Sequence, residues 1–219
     1  MQALFITGTD TDVGKTIVSA WLTLHWQAAY WKPIQSGLIQ GSDSDTVARL
    51  SQACCYPEKW KLNAALSPHQ AAALEHQHID ITEIHLPISQ INHTYAPTER
   101  LVVEGAGGLL TPLNQSACIA DLIVQLKLPV LLVARSSLGT INHTCLTIEA
   151  LRARHLKLIG VIMVGEQNIP NRTAIEHYGN TRVLAELPLL ADLSKRQLQQ
   201  HLLPETLSQA LANLPDLSK

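Results

Sequence analysis

The alternation of short, continuously apolar runs with longer amphipathic segments constrains the fold of this chain more than any other feature of its sequence. Almost every position is apolar in four runs, at residues 3–6, 101–103, 129–133 and 158–164. Helical patterns occupy residues 16–28, 117–127 and 142–155. Strands without polar alternation are typical of a parallel sheet that is buried on both faces. The order of the runs therefore predicts an α/β fold with helices on both faces of the sheet.

A glycine-rich segment directly follows the first apolar run and leads into the first predicted helix. Residues 8–16 read GTDTDVGKT, and Gly-Lys-Thr between a strand and a helix is typical of a P-loop. Backbone N–H groups of such a loop surround phosphate oxygens, Lys15 reaches the outer phosphates, and the Thr16 hydroxyl binds Mg²⁺. The spacing differs by one residue from the usual form, because Thr9 stands where the first glycine normally lies. The segment predicts a P-loop NTPase-type, Rossmann-like sheet.

A nucleotide in a P-loop needs a metal shell, to which carboxylates contribute. Glu104 ends the second apolar run, where the acidic metal ligand of a P-loop protein lies. Asp45, in the segment Ser-Asp-Ser-Asp-Thr at residues 42–46, lies at the start of a predicted helix. We predict Asp45 as the second acidic ligand. The alternative, that Asp43 or Asp45 only caps this helix, remains open on spacing alone.

Length and composition limit the remaining possibilities. The chain has 219 residues, which favours a single domain over residues 1–219. Its net charge is −2, so it lacks the basic excess that nucleic-acid binding requires. No stretch approaches the roughly 18 consecutive apolar residues of a membrane span, and the run that begins at Gln2 lacks the basic segment of a signal peptide. We expect no nucleic-acid partner, no membrane span and a cytoplasmic location.

Five segments, in order along the chain, carry a family resemblance. They are GTDTDVGKT at residues 8–16, YWKPIQSG at 30–37, SD at 44–45, VEGAGG at 103–108 and LGTINH at 138–143. Together they resemble the dethiobiotin synthetases, a family of biotin biosynthesis. The resemblance implies an ATP-dependent ligase that carboxylates 7,8-diaminopelargonate with CO₂. It then closes the ureido ring through a carbamic–phosphoric anhydride, giving dethiobiotin, ADP and phosphate.

The resemblance also implies roles for individual residues. Catalytic roles are implied for Lys32, Lys15 and Thr11. Mg²⁺ is implied to bind Thr16, Asp45 and Glu104. Nucleotide binding is implied for Asp12, Val13, Gly14, Lys15, Thr16, Ile17, Asp45, Glu104, Gly105, Ala106, Gly107, Val164, Gly165, Pro188, Leu189 and Leu190. Substrate binding is implied for Thr11, Lys32, Ser36, Gly107, Gly139, Thr140, Ile141 and Asn142.

Residues 139–142 lie at the N-terminus of a predicted helix, and this end of a helix favours an anion. The family uses this segment to bind the substrate carboxylate across a homodimer interface, so the resemblance implies a homodimer with a shared substrate site. A simpler interpretation, in which Asn142 is only the N-cap of its helix, is compatible with this role.

One segment departs from the family pattern. The family commonly places an asparagine after the fourth apolar run to bind adenine, whereas this chain has Val164 and Gly165 there. Neither side chain can read the edge of a base, so we predict relaxed nucleobase selectivity.

Two other functions of the same fold class are conceivable. A P-loop ATPase switch often carries a second lysine early in the loop, where this chain has Thr9, Asp10 and Thr11. A kinase for a small acid would explain Lys15 but not the segments at residues 32–33 and 139–142.

Overall fold

A central parallel sheet organises the computed structural model, which describes residues 1–87 and 98–217. Nine strands lie within these residues. They are β1 (Gln2–Gly8), β2 (Ala29–Trp31), β3 (Ile34–Ser36), β4 (Cys55–Tyr56), β5 (Trp60–Leu62), β6 (Arg100–Gly108), β7 (Val130–Arg135), β8 (Leu158–Val164) and β9 (Val183–Leu187). Seven of them form the main sheet in the order β4-β2-β6-β1-β7-β8-β9, and β3 pairs with β5 in a small second sheet.

Every pairing in the main sheet is parallel. β1 lies between β6 and β7, so the chain builds outward from β1 in both directions. In open parallel sheets the crevice for a ligand forms at such a switch point, outside the carboxyl ends of the strands. The P-loop segment follows β1 at this edge, which is therefore where a nucleotide site is expected.

Helices cover both faces of the sheet. The described residues form α1 (Lys15–Trp26), α2 (Asp43–Ser51), α3 (Pro68–Leu74), α4 (Ile119–Leu126), α5 (Thr140–Ala153), α6 (Ile169–Tyr178), α7 (Lys195–Gln200) and α8 (Glu205–Ala212). Alternate residues of β1 point to opposite faces: Phe5 packs in one apolar cluster with Leu122 of α4, and Ile6 packs in another with Val18 of α1. The predicted α/β fold with helices on both faces is confirmed.

The sequence Asp-Ile-Thr-Glu at residues 80–83 predicts by its capping-box pattern a helix that the structure does not have. These residues form only a 3₁₀ turn at Ile81–Glu83. The Asp80 carboxylate accepts a hydrogen bond from the backbone N–H of Thr82, which favours a local turn. The Ile81 carbonyl accepts the backbone N–H of Ile84, as in a 3₁₀ turn, and the Gln125 side chain of α4 donates to the carbonyls of both Ile81 and Ile84. Tertiary contacts with α4 therefore override the local helix signal.

Across residues 1–87 and 98–217, no helix combines the length and the apolar character that crossing a membrane demands.

Candidate active site

The P-loop wraps back on itself between β1 and α1. Gly14 is the N-cap of α1 and has φ +98°, a left-handed conformation that favours glycine. A Cβ atom there would lie 3.0 Å from Val164 Cγ1, and a Cβ at Gly8 would lie 2.8 Å from the Asp10 carbonyl oxygen. Both glycines are therefore needed for the tight loop. Lys15 folds over the loop, where its Nζ donates to the Asp10 carbonyl at 3.0 Å.

A cluster of two carboxylates, one lysine and one hydroxyl lies beside the loop. Glu104, on β6, is fully buried; its Oε1 lies 3.1 Å from Thr16 Oγ1 and accepts a hydrogen bond from Lys32 Nζ at 3.3 Å. Asp43, at the start of α2, accepts from Thr16 Oγ1 at 2.5 Å and forms an ion pair with Lys32. Four parts of the chain, namely β6, α1, α2 and the end of β2, thus bring three oxygen-bearing groups and one ammonium group to one point.

The structure places the two aspartates of residues 42–46 differently with respect to the predicted metal shell. Asp45 is exposed and does not line the cavity that holds Thr16 and Glu104, whereas Asp43 does. Ser42 caps α2 by accepting a hydrogen bond from the Asp45 backbone N–H at 3.0 Å, which makes Asp43 the first helical residue. Residues two apart on a helix point about 200° apart, so both aspartates cannot face the same site.

Gln35 fixes the position of Asp43. Its Oε1 accepts a hydrogen bond from the Asp43 backbone N–H at 3.0 Å, while its Nε2 donates to the Ser36 carbonyl at 2.7 Å. Sequence reasoning missed Gln35, although its nearness to Lys32 in the KPIQSG segment was a usable signal.

Electrostatic coupling sets the charges of the cluster. Burial lowers the pKa of Lys32, but the charges of Glu104 and Asp43 outweigh it and raise the pKa above its ordinary value. For Asp43, burial is outweighed by the charge and hydrogen bond of Lys32, so its pKa is lowered. Burial lowers the pKa of Lys15 despite the attraction of Glu104, and the charge of Lys32 adds to this. At neutral pH Lys32 is an ammonium group and Asp43 a carboxylate.

A cavity of about 860 Å³ opens in front of this cluster. The predicted residues that line it are Thr11, Asp12, Gly14, Lys15, Thr16, Ile17, Lys32, Ser36, Glu104, Ala106 and Gly107. The rest of its lining is not predicted as site residues from the sequence and consists of Gln35, Gly37, Gly41, Ser42, Asp43, Thr46, Ala65, Leu66, Ser67, Pro68, Thr111 and Pro112.

Two small residues of this cavity face a substrate-sized space. Ser36 Oγ is buried and has no hydrogen-bond partner among the residues that the structure describes. Gly107 has φ +68°, and a Cβ there would lie 2.5 Å from Thr111 Oγ1. The Ser36 hydroxyl can therefore form a hydrogen bond with a polar group of a ligand. Gly107 has no side chain, so it leaves space beside Thr111 at the end of β6.

Two predicted nucleotide-binding residues point elsewhere. The Val13 side chain packs in the apolar cluster with Ile6. A Cβ at Gly105 would lie 2.8 Å from Phe5 Cε1, so this glycine makes room for the core. Their backbone groups, rather than their side chains, are what remains to contact a nucleotide.

The predicted base-side residues lie at the carboxyl ends of β8 and β9. Val164 contacts the P-loop at Gly14, and the backbone N–H of Gly165 donates to the Leu187 carbonyl at 3.0 Å. Pro188, Leu189 and Leu190 follow directly, and Leu189 is 74% exposed. None of the five lines the cavity described above.

Residues 139–142 lie apart from this cavity. Gly139, with φ +91°, is the N-cap of α5, and Asn142 lies inside the helix. The interpretation of Asn142 as the N-cap is therefore wrong, because the left-handed cap position requires the glycine. Thr140 is buried, Ile141 is half-buried, and Asn142 is exposed beside the fully exposed Leu138.

Solved structures with the same architecture are P-loop ATPases. The cell division ATPase MinD of Pyrococcus furiosus is 14% identical, with a TM-score of 0.53 and coverage of 96% of both chains. A chain of the MinC:MinD cell division protein complex from Aquifex aeolicus has a TM-score of 0.55 at 14% identity, with coverage of 90% of this chain and 86% of the other. These likenesses show the fold.

The proteins related to this chain by sequence share a much larger fraction of identical residues with it than these solved structures do. A profile of the AAA domain family matches residues 2–197. The ATP-dependent dethiobiotin synthetase of Paramagnetospirillum magneticum is 52% identical over 189 residues, covering 85% of this chain and 88% of that protein. The corresponding protein of Brucella ovis is 47% identical over 198 residues, covering 89% and 90%. Similarity of this extent, together with the P-loop and the cluster beside it, shows that the chain belongs to the ATP-dependent dethiobiotin synthetase family.

Proposed function

We propose that this chain carboxylates 7,8-diaminopelargonate with CO₂ and closes the ureido ring at the expense of ATP, giving dethiobiotin, ADP and phosphate. The observation that carries this proposal is the buried Lys32 ammonium group. It lies beside the P-loop residue Thr16 and faces the same cavity as the orphan Ser36 hydroxyl. A P-loop switch or a small-acid kinase gives no reason for a second buried lysine at this position, and neither is favoured by the relatives.

The reaction joins two anions before it can proceed. One substrate amine adds to CO₂ and loses a proton, which forms a carbamate with a new N–C bond. A carbamate oxygen attacks the γ-phosphorus, and the bond from that phosphorus to ADP breaks. The second amine then attacks the carbonyl carbon, loses a proton and expels phosphate, which closes the ring. The carbamate and the triphosphate repel each other, so the site must supply positive charge between them.

Two lysines supply this charge from opposite sides. Lys15 extends from the P-loop, and Lys32 extends from the end of β2. We assign to Lys32 the carbamate and the transferred phosphoryl group, because it lines the cavity and is held there by ion pairs with Asp43 and Glu104. Thr11 and Ser36 are short hydroxyl groups that line the cavity and suit the carbamate or the amines. Preorganised charges of this kind contribute most where water is excluded.

The oxygen ligands beside the P-loop fit Mg²⁺. This ion prefers carboxylate and hydroxyl oxygens, and the Thr16 hydroxyl lies within hydrogen-bond distance of both Asp43 and Glu104. We propose Thr16, Asp43 and Glu104 as its holders. When bound, Mg²⁺ supplies positive charge to phosphate oxygens.

We further propose a cytoplasmic homodimer with a shared substrate site and with residues 1–219 as one domain. Among the described residues, the cavity lining includes none of Gly139, Thr140, Ile141 and Asn142. Their helix N-terminus favours an anion. A second copy that brings this segment to the cavity would let it bind the substrate carboxylate. The small-molecule substrates and the net charge of −2 give no reason to expect a nucleic-acid partner.

Relaxed nucleobase selectivity follows from the chemistry at the ends of β8 and β9. Val164 and Gly165 offer no side-chain hydrogen bond, and the nearby Asn171 amide already donates to the Ser136 carbonyl at 2.9 Å. A site without a base-reading group discriminates weakly. In competition assays we expect kcat/KM for ATP to exceed that for CTP or GTP by less than about a hundredfold. A larger preference for ATP would show that another group reads the base.

The proposed function is tested by the substrate dependence of ADP release. A synthetase releases ADP only when the diamine and bicarbonate are both present with ATP and Mg²⁺. ADP release that continues unchanged without the diamine would instead support the ATPase switch.

A further inference from the structure

Glu104 has a second pair of hydrogen-bond donors on the side away from the cavity. Its Oε2 accepts from Ser19 Oγ at 2.6 Å and from the Tyr30 hydroxyl at 3.0 Å. Both donors are buried, and so is Glu104. The two carboxylate oxygens therefore have separate surroundings: Oε2 faces two hydroxyl groups of the interior, and Oε1 faces Thr16 and Lys32.

The spacing of these residues explains how one carboxylate receives donors from two elements. Thr16 and Ser19 are three residues apart on α1, so they share a helix face, and one reaches each oxygen. Tyr30 pairs with Val102 across β2 and β6, two residues before Glu104. Side chains two apart on a strand share a face, so Glu104 lies on the same face of β6 as Val102, within reach of the Tyr30 hydroxyl on the neighbouring strand.

A buried carboxylate that is held on one oxygen has a fixed plane. Two donors on Oε2 leave Oε1 as the oxygen turned toward the cavity, and they also offset the cost of burying a charge. Outer groups that orient a metal-binding carboxylate commonly affect metal affinity by about ten- to a hundredfold.

We propose that Tyr30 and Ser19 are positioning residues that orient Glu104 for Mg²⁺ bound with the nucleotide. The inference rests on the proposed function only for the assignment of Glu104 as a metal ligand. It assigns no contact between Tyr30 or Ser19 and the substrate.

The test is the Mg²⁺ dependence of ADP binding, which requires no turnover. Calorimetry gives the Kd for ADP in excess Mg²⁺ and in EDTA, and the ratio of the two isolates the contribution of the metal. For Tyr30→Phe we expect the Kd in Mg²⁺ to rise about tenfold, while the Kd in EDTA changes less than about twofold. Ser19→Ala, measured in the same way, covers the case in which Tyr30→Phe does not fold.

Tyr178→Phe is the matched control, because Tyr178 is 73% exposed on α6 and the change removes the same hydroxyl. Its two Kd values should equal those of the unchanged protein. A Tyr30→Phe ratio equal to that of the control would overturn the proposal, as would an equal loss of affinity in EDTA. Absence of any Mg²⁺ effect in the unchanged protein would also overturn it. Failure to make dethiobiotin with the Mg²⁺ effect intact would instead count against the proposed function alone.

Discussion

Replacing Lys32 with alanine should reduce dethiobiotin formation by about a thousandfold, which is the effect expected when a preorganised charge is removed from the reacting groups. Lys32 is the only residue in the described cavity that forms ion pairs with both Asp43 and Glu104. The loss should appear mainly in kcat, because the carbamate and the transferred phosphoryl group need the charge most as they approach each other. Steady-state assays at saturating ATP, Mg²⁺ and diamine measure it.

The same change should weaken the fold without abolishing it. Breaking a buried ion pair leaves Glu104 without its counter-ion and costs about 3 kcal/mol, so the melting temperature should fall while the folded spectrum is retained. Lys59→Ala is the control: Lys59 pairs with Glu83 at 2.9 Å, and both side chains are largely exposed. Exposed pairs of this kind contribute about 0–1 kcal/mol, so activity and melting temperature should stay near those of the unchanged protein. Turnover of folded Lys32→Ala at the unchanged rate would remove Lys32 from the mechanism.

Asparagine substitutions at positions 43 and 45 should have opposite outcomes. Asp43→Asn removes a charge that contacts both Thr16 and Lys32, and we expect kcat/KM at limiting Mg²⁺ to fall by roughly a hundredfold. Asp45→Asn removes a charge from an exposed side chain in the first turn of the same helix. Asp45→Asn should destabilise the helix by no more than about 0.3–1 kcal/mol, and its kcat/KM should stay within about twofold of that of the unchanged protein.

The two variants form a matched pair, because each loses one negative charge from the first turn of α2 at nearly constant size. Titrating Mg²⁺ in the activity assay separates metal binding from general damage. A strong defect in Asp45→Asn, with Asp43→Asn near normal, would contradict the proposed Mg²⁺ ligands Thr16, Asp43 and Glu104 and return the assignment to Asp45.

The sequence predicts the architecture well, because buried parallel strands have a composition that few other structures share. The runs at residues 3–6 and 158–164 lie in β1 and β8. The P-loop can also be predicted from the sequence. The left-handed backbone between β1 and α1 favours glycine at position 14, and binding of phosphate requires the lysine at position 15.

The sequence does not predict features that depend on which face of a helix a residue occupies or on contacts between residues far apart in the chain. Asp43 and Asp45 are chemically equivalent in a one-dimensional pattern, and only the cap by Ser42 decides which one faces the site. The pairing of Tyr30 with Glu104 spans 74 positions and follows from the register of β2 on β6. The turn at Ile81–Glu83 depends on α4, which no local signal at residues 80–83 contains.

A synthetase of this family builds the ureido carbonyl from CO₂ and couples the ring closure to ATP cleavage, and isotopic labelling follows both events at once. The most direct test supplies the protein with ¹³C-bicarbonate, diaminopelargonate, ATP and Mg²⁺, and follows the label by NMR while ADP is measured. We expect the label to enter the ureido carbonyl of dethiobiotin, with one ADP formed for each ring closed. Hydrolysis of ATP with all label remaining in bicarbonate and carbamate would contradict the proposed function.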